Sequence, residues 1–235
     1  MKRFLLLLPL ALLGLYLTFF GQVNTAVYET YSTRIISGFQ EQRQTEQVQK
    51  EAHPPQDVAF SELLSAMEDY NQMIAAEKQC RLTGPEVYEQ AALHLEDYGI
   101  DAHTPVGTLS IPAIALELPI YLGASRENMT RGAAVLGQTS LPIGGEATNC
   151  VIAGHRGYRG IPYFRNLDRL EPGDEVILTN LWEELRYRVV SARVIEPDDL
   201  DSILIQEGRD LLTLLTCHPY TVGTQRLIVV CERVT

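Results

Sequence analysis

LLTLLTCHPY, residues 211–220, is an apolar run of strand character that stops at one cysteine, with a proline two positions further on. Proline cannot continue a central strand, so the chain turns just after Cys217. A buried structural thiol would fit inside such a run. A cysteine at its end sits where catalytic groups are presented. Working outward from it, short β-type runs recur from residue 105 to the end: VGTLSIPAI, LELPIYLG, CVIAGH, EVILTN, LRYRVVSARVI, LLTLLTC and RLIVVCERV. These seven runs, separated by turn residues, predict a mainly β domain over residues 105–235, an antiparallel barrel or sandwich. DDLDSILI, residues 198–205, is the one clear helical interruption.

The chain ahead of this domain reads as three further segments. FLLLLPLALLGLYLTFF, residues 4–20, is apolar, and no charged residue falls between Arg3 and Glu29. That approaches the roughly 20 residues a membrane-spanning helix needs, and it exceeds the short apolar region of a cleaved signal peptide. Residues 1–28 are therefore expected to be an uncleaved anchor. Lys2 and Arg3 precede the run and no basic residue follows until Arg34, so the N-terminus is expected in the cytoplasm and the rest of the chain outside the cell membrane. Residues 29–57, polar and Gln-rich, read as a stalk that HPP at 53–55 interrupts. Residues 58–104 read as a helical extension, with Phe60, Leu63, Leu64, Met67, Tyr70 and Ile74 on one face. That face predicts a helix packed on its own domain more readily than one that binds a partner.

The formal charge of −11 gives phosphate no basic face, which excludes nucleic acid as a partner. The four cysteines, Cys80, Cys150, Cys217 and Cys231, contain no C-x-x-C. They show no framework spacing either. Cys150 and Cys231 lie inside apolar alternating runs, where a small buried thiol is expected. Cys217 and His218 alone cannot supply a tetrahedral ligand set, so neither metal nor cofactor is expected.

A cysteine nucleophile acts as thiolate and needs a group to activate it. Of His53, His94, His103, His155 and His218, only His155 ends a strand as Cys217 does. His218 is adjacent in sequence, but successive side chains on an extended chain face opposite ways. Two strands presenting Cys217 and His155 at matching ends would form a nucleophile and base pair. Arg226 opens the run after the cysteine, so a hairpin would bring its guanidinium donors near Cys217 as oxyanion stabiliser. Position alone fits a surface arginine equally well.

These residues resemble a known family. TLLTC at 213–217 is similar to the TLxTC signature of sortases, the membrane-anchored cysteine transpeptidases of Gram-positive surfaces. GTQRLIVV places the family arginine at Arg226, and SLPIGGEATNCVIAGHRG followed by YFRNLDRLEPGDEV resembles the histidine region of class C, pilus-building sortases. The resemblance implies a closed eight-stranded sortase β-barrel with short helices and a catalytic triad of Cys217, His155 and Arg226. It implies attack on the Thr-Gly bond of an LPxTG-like sorting signal, then transfer from Cys217 to an amine, with His155 moving the protons. It also implies substrate binding at Thr216, Ala153 and Gly154, with loop 196–210 helping to form the floor for the peptide. The partners implied are sorting-signal proteins and an amine acceptor, either a pilin lysine or a cell-wall peptide.

Class C lids carry an Asp-Pro-aromatic motif, whereas this chain has LTGPEVYEQ, residues 82–90, in that region. The alternatives are cell-wall anchoring of surface proteins, or a non-catalytic scaffold on the same barrel. A disulfide-bonded surface protein would require two of the four cysteines to pair.

Overall fold

The computed structural model describes residues 2–52, 58–79 and 91–234. Eight strands among them close a barrel: β1 Gly107–Ile111, β2 Leu116–Leu122, β3 Ala133–Val135, β4 Thr148–Ala153, β5 Glu175–Asn180, β6 Glu184–Ile195, β7 Asp210–His218 and β8 Gln225–Arg233. Their order around the barrel is β1-β2-β3-β4-β7-β8-β6-β5, with β5 pairing back to β1.

The sequence suggested an antiparallel arrangement, and two pairs depart from it. β2 with β3 and β4 with β7 are parallel. β3 has no counterpart among the seven runs, because AAV is only three residues long and is framed by Gly132 and Gly137. The segment before it also holds a short helix, α3 Arg126–Arg131, capped by Ser125 Oγ accepting from the Asn128 amide at 3.2 Å. A serine accepting from the first turn satisfies one of the amides a helix start leaves unpaired. DDLDSILI reduces to a single 3-10 turn, Asp201–Ile203.

The parallel pair β4–β7 explains why the opening stretch is almost continuously apolar. A strand covered on both faces has no polar side. Cys150 and Ile152 of β4, Leu212 and Leu214 of β7, and Leu227, Val229 and Cys231 of β8 point into the barrel. Val151, Ala153, Leu211, Ile228 and Val230 face outward, under Ile195 at the end of β6 and Ile203 of the β6–β7 connection. Each large apolar side chain fully buried in this way contributes about 1.5–3 kcal/mol. Asn149 serves the outer layer's polar needs: Nδ2 donates to the Ile203 carbonyl and Oδ1 accepts from Thr213, both at 2.9 Å.

The N-terminal segments are helical. Residues Lys2–Ala52 form one helix, α1, which runs through residues 29–52 and buries Ile36 and Phe39 within them. Among the described residues no helix is long and apolar enough to cross a membrane. The side chains of residues 4–8, 10, 11 and 17, much of the expected anchor, lie outside that description. α2, Val58–Ala76, buries Leu63, Met67 and Ile74. Asn71 secures it to the barrel by accepting from the Leu141 amide at 2.7 Å and donating to the Leu141 carbonyl. LTGPEVYEQ and Cys80 lie outside the described residues.

Candidate active site

Strand register decides what meets at the barrel rim. β4 and β7 run parallel with Ala153 opposite Leu215, and the Gly154 amide extends that ladder to the Leu215 carbonyl at 3.1 Å. Carried past the end of β4, the same register brings His155 to the end of the barrel that holds Cys217. On the other side β8 places Arg226 opposite Cys217. All three share the parity of Ala153 and Leu215, which is the outward face covered lower down by Ile195, Ile203 and Leu204. The 196–210 connection thus packs on the face that carries the three candidate residues.

Cys217 is exposed, while Cys150 and Cys231 are free thiols enclosed in the barrel. Burial pushes the Cys231 thiol up to about 12 and that of Cys150 higher still, which leaves both as inert packing groups. Gly223 lies against Cys217, so that a Cβ there would sit 3.8 Å from Sγ. Arg226 is steered by the same turn: one terminal nitrogen donates to the Gly223 and Gln225 carbonyls, each at 2.9 Å. Its other donors remain free for an oxyanion.

His155 is half-buried and held by aromatic rings. Tyr158 stacks on it at 5.0 Å between centroids and Tyr163 meets it edge-on at 5.9 Å. This enclosure strips water from the ring and holds its pKa below the ordinary histidine value. Tyr163 is fixed in turn by its hydroxyl to the Thr130 carbonyl at 2.8 Å and by Tyr28 of α1 at 5.0 Å. α1 reaches further along the same loop, with Asn24 donating to the Arg159 carbonyl and Thr25 to that of Gly160. The approach is close: a Cβ on Gly160, whose φ is +93°, would lie 2.7 Å from Gly21 backbone atoms. Beside this contact a cavity of about 810 Å³ opens between α1 and the barrel, lined by Phe20, Val27, Tyr31, Arg126 and Tyr158.

The three residues expected to bind substrate are placed differently from the triad. Thr216 is 1% exposed, and its hydroxyl donates to the Gly154 carbonyl at 2.8 Å. Strand alternation turns it to the face opposite Cys217, where its hydroxyl joins β7 to β4. Gly154 is buried too, and a Cβ there would meet the Phe164 ring at 2.6 Å. Ala153 lies on the triad's face but is 4% exposed beneath the outer layer. Among the described residues no cluster of three or more His, Cys, Asp or Glu could hold a metal ion.

The sequence reading passed over Tyr158, Tyr163 and Arg156, although HRGYRGIPYF is aromatic-rich directly after the histidine. Arg156 is buried, donates to Asp168 at 2.7 Å and meets Nδ1 of His218.

The sequence model of the sortase domain matches residues 109–234. Sortase D of Bacillus subtilis is 29% identical over 165 residues, covering 69% of this chain and 80% of the relative. Sortase A of Bacillus anthracis is 28% identical over 130 residues, covering 55% of this chain and 60% of that relative's own length. Among solved structures, "Sortase C1 of GBS Pilus Island 1" superposes with a TM-score of 0.71 at 30% identity, covering 87% of this chain and 92% of the other. Clostridium perfringens sortase C, solved "with the C-terminal cell wall sorting motif", gives 0.70 at 32% identity over 87% of this chain and all of that one. With a closed eight-stranded barrel and a cysteine, histidine and arginine on three adjacent strand ends, this chain belongs to the sortase family of cysteine transpeptidases.

Proposed function

We propose that this sortase cleaves an LPxTG-like sorting signal between Thr and Gly and passes the acyl group to an amine. The observation that supports the reading is the strand order β4-β7-β8, which brings the end of β4 that leads into His155 and the start of β8 that holds Arg226 to either side of the strand with the exposed Cys217. In the first step Cys217 Sγ, as thiolate, attacks the Thr carbonyl carbon and the C–O π electrons move onto oxygen. Arg226 donates to that oxyanion, a role whose loss typically costs about 2.7–4 kcal/mol in barrier. Collapse breaks the C–N bond, His155 supplies a proton to the departing glycine amine, and a thioester remains on Cys217. An incoming amine then attacks the thioester, gives its proton to His155, and expels the thiolate as the new amide forms.

The similarity to class C sortases, including one solved with a sorting motif, supports a sorting-signal protein as donor and a pilin lysine as acceptor, hence pilus assembly. The Sortase A and Sortase D relatives favour a second reading, in which a cell-wall peptide amine is the acceptor. For location we infer a single-pass anchor over residues 4–20, with the N-terminus cytoplasmic and the barrel outside.

Mass spectrometry of the full chain with LPxTG-type peptides tests the chemistry. Cleavage between Thr and Gly that depends on Cys217, with ligation that depends on added amine, is the expected outcome. Competition between a pilin lysine and a cell-wall peptide then identifies the acceptor. No acyl-enzyme and no product across a broad peptide panel would overturn the reading. For the anchor, extraction of the chain from membranes by carbonate but not by detergent would be inconsistent with a spanning segment.

A further inference from the structure

The β4–β7 ladder stops one residue short of the histidine. Its last backbone bond joins the Gly154 amide to the Leu215 carbonyl, β4 ends at Ala153, and β7 continues to His218 paired with β8. Nothing in that ladder therefore fixes the distance from His155 to Cys217. The next connection beyond it is made by side chains. Arg156, 7% exposed, spans from the histidine loop to the cysteine strand. One terminal nitrogen meets Nδ1 of His218 and lies 3.5 Å from the Cys217 carbonyl, while the other donates to Asp168 at 2.7 Å. Guanidinium hydrogens only donate, so in this contact Nδ1 of His218 accepts.

A second, outer contact repeats the pattern. Arg165 of the histidine loop donates to the Tyr220 hydroxyl at 2.6 Å and stacks on that ring at 4.8 Å. Arg156 is the inner and buried member of the pair. It follows the histidine in sequence, and its partner follows the cysteine, where alternation along β7 turns His218 away from the face of Cys217.

We infer that Arg156 is a positioning residue: bonded to His218 and anchored by Asp168, it sets the spacing and orientation of His155 against Cys217 without touching substrate. A planar fork that holds two partners at once defines geometry in a way a single ammonium cannot. The inference rests on the transpeptidase reading, since it assigns Arg156 to that reaction.

The test uses the full chain and compares Arg156→Met, Arg156→Lys, His218→Gln and His218→Leu. Three quantities are followed: turnover of an LPxTG-type peptide, the rate at which iodoacetamide alkylates Cys217, and the melting temperature. A misplaced reacting pair loses up to about 100-fold in rate. Arg156→Met should therefore lower kcat on that scale with KM within about twofold, and should slow alkylation to the rate seen with His155→Ala. Arg156→Lys should recover only part of either. His218→Gln, whose side-chain oxygen can accept the same bond, should stay close to wild type while His218→Leu falls toward Arg156→Met. The double variant Arg156→Met with His218→Leu should be no worse than Arg156→Met alone, because the two residues form one unit.

A wild-type kcat in Arg156→Met with only a lower melting temperature would overturn the inference, as would a rise in KM alone. Equal damage from His218→Gln and His218→Leu would do the same. If Arg156→Met fails to fold, the two His218 variants and Arg156→Lys decide by the same criteria. If the wild type cleaves no peptide, the functional reading fails by itself, and the alkylation rates still decide the positioning role.

Discussion

The two loops that meet at the active site are held in opposite ways. The histidine loop, residues 154–168, is packed around its histidine: Gly154 lies under the Phe164 ring, His155 sits between two tyrosines, and α1 bonds to the Arg159 and Gly160 carbonyls. The cysteine turn, residues 217–224, stands open, with Cys217, Tyr220 and Val222 exposed. The contrast follows from what each residue must do. A nucleophile has to be reached by a peptide, so water and substrate need access to it. A proton carrier has to be aimed, so its ring is fixed by neighbours at the expense of solvation. Arg156 and Arg165 join the rigid loop to the open turn.

Four substitutions would sharpen or break this comparison. The largest effect belongs to the open side. Cys217→Ala removes the only exposed thiol among the described cysteines and should lower transpeptidation about 10⁴-fold or more, with melting unchanged, as judged by product formation in mass spectrometry. Next is Arg226→Ala, which should cost about 10²–10³ in kcat if its free donors serve an oxyanion. A loss confined to KM would instead assign Arg226 to ground-state binding.

On the packed side the first effect is on stability. Gly154→Ala forces a Cβ to within 2.6 Å of the Phe164 ring and should destabilise the fold by about 1–3 kcal/mol in chemical denaturation. Equal stability would mean that the loop yields, and the contrast between the two loops would fade.

The smallest effect concerns pH. Burial disfavours the imidazolium of His155, so its folded pKa lies below the unfolded one. The unfolded chain then binds that proton more readily, and stability is lost as pH falls through the ordinary histidine value toward the lower folded value. Above the ordinary value the contribution is fully present. Tyr158→Ala uncovers the ring and should move its NMR titration up toward 6.5 while flattening that loss. A titration unchanged by Tyr158→Ala would show that the stacked ring is not what excludes water.

Much of this was legible in the sequence because it depends on local pattern. Seven of the eight strands were readable as runs of apolar and β-branched residues between turns, and β3 was lost because three residues between glycines carry no period. Parallel pairing of β4 with β7 left its trace in the near-continuous apolar run, but a buried strand does not announce its partner or direction. Cys217, His155 and Arg226 stood out because each sits at a strand end, where alternation and hairpin geometry limit the choices. Thr216, adjacent in sequence to the cysteine, turned out to face the other way, which the period of two already implied.

The sequence by itself therefore determined the strand content, the reactive residue types and their order along the chain, since these follow from side-chain chemistry and spacing over a few residues. Only the tertiary structure decided that β4, β7 and β8 are neighbours, that Tyr158 and Tyr163 desolvate His155, and that Arg156 reaches His218. Those contacts join residues up to 62 positions apart in the chain. Their energy comes from barrel closure and shared burial, which no local pattern encodes.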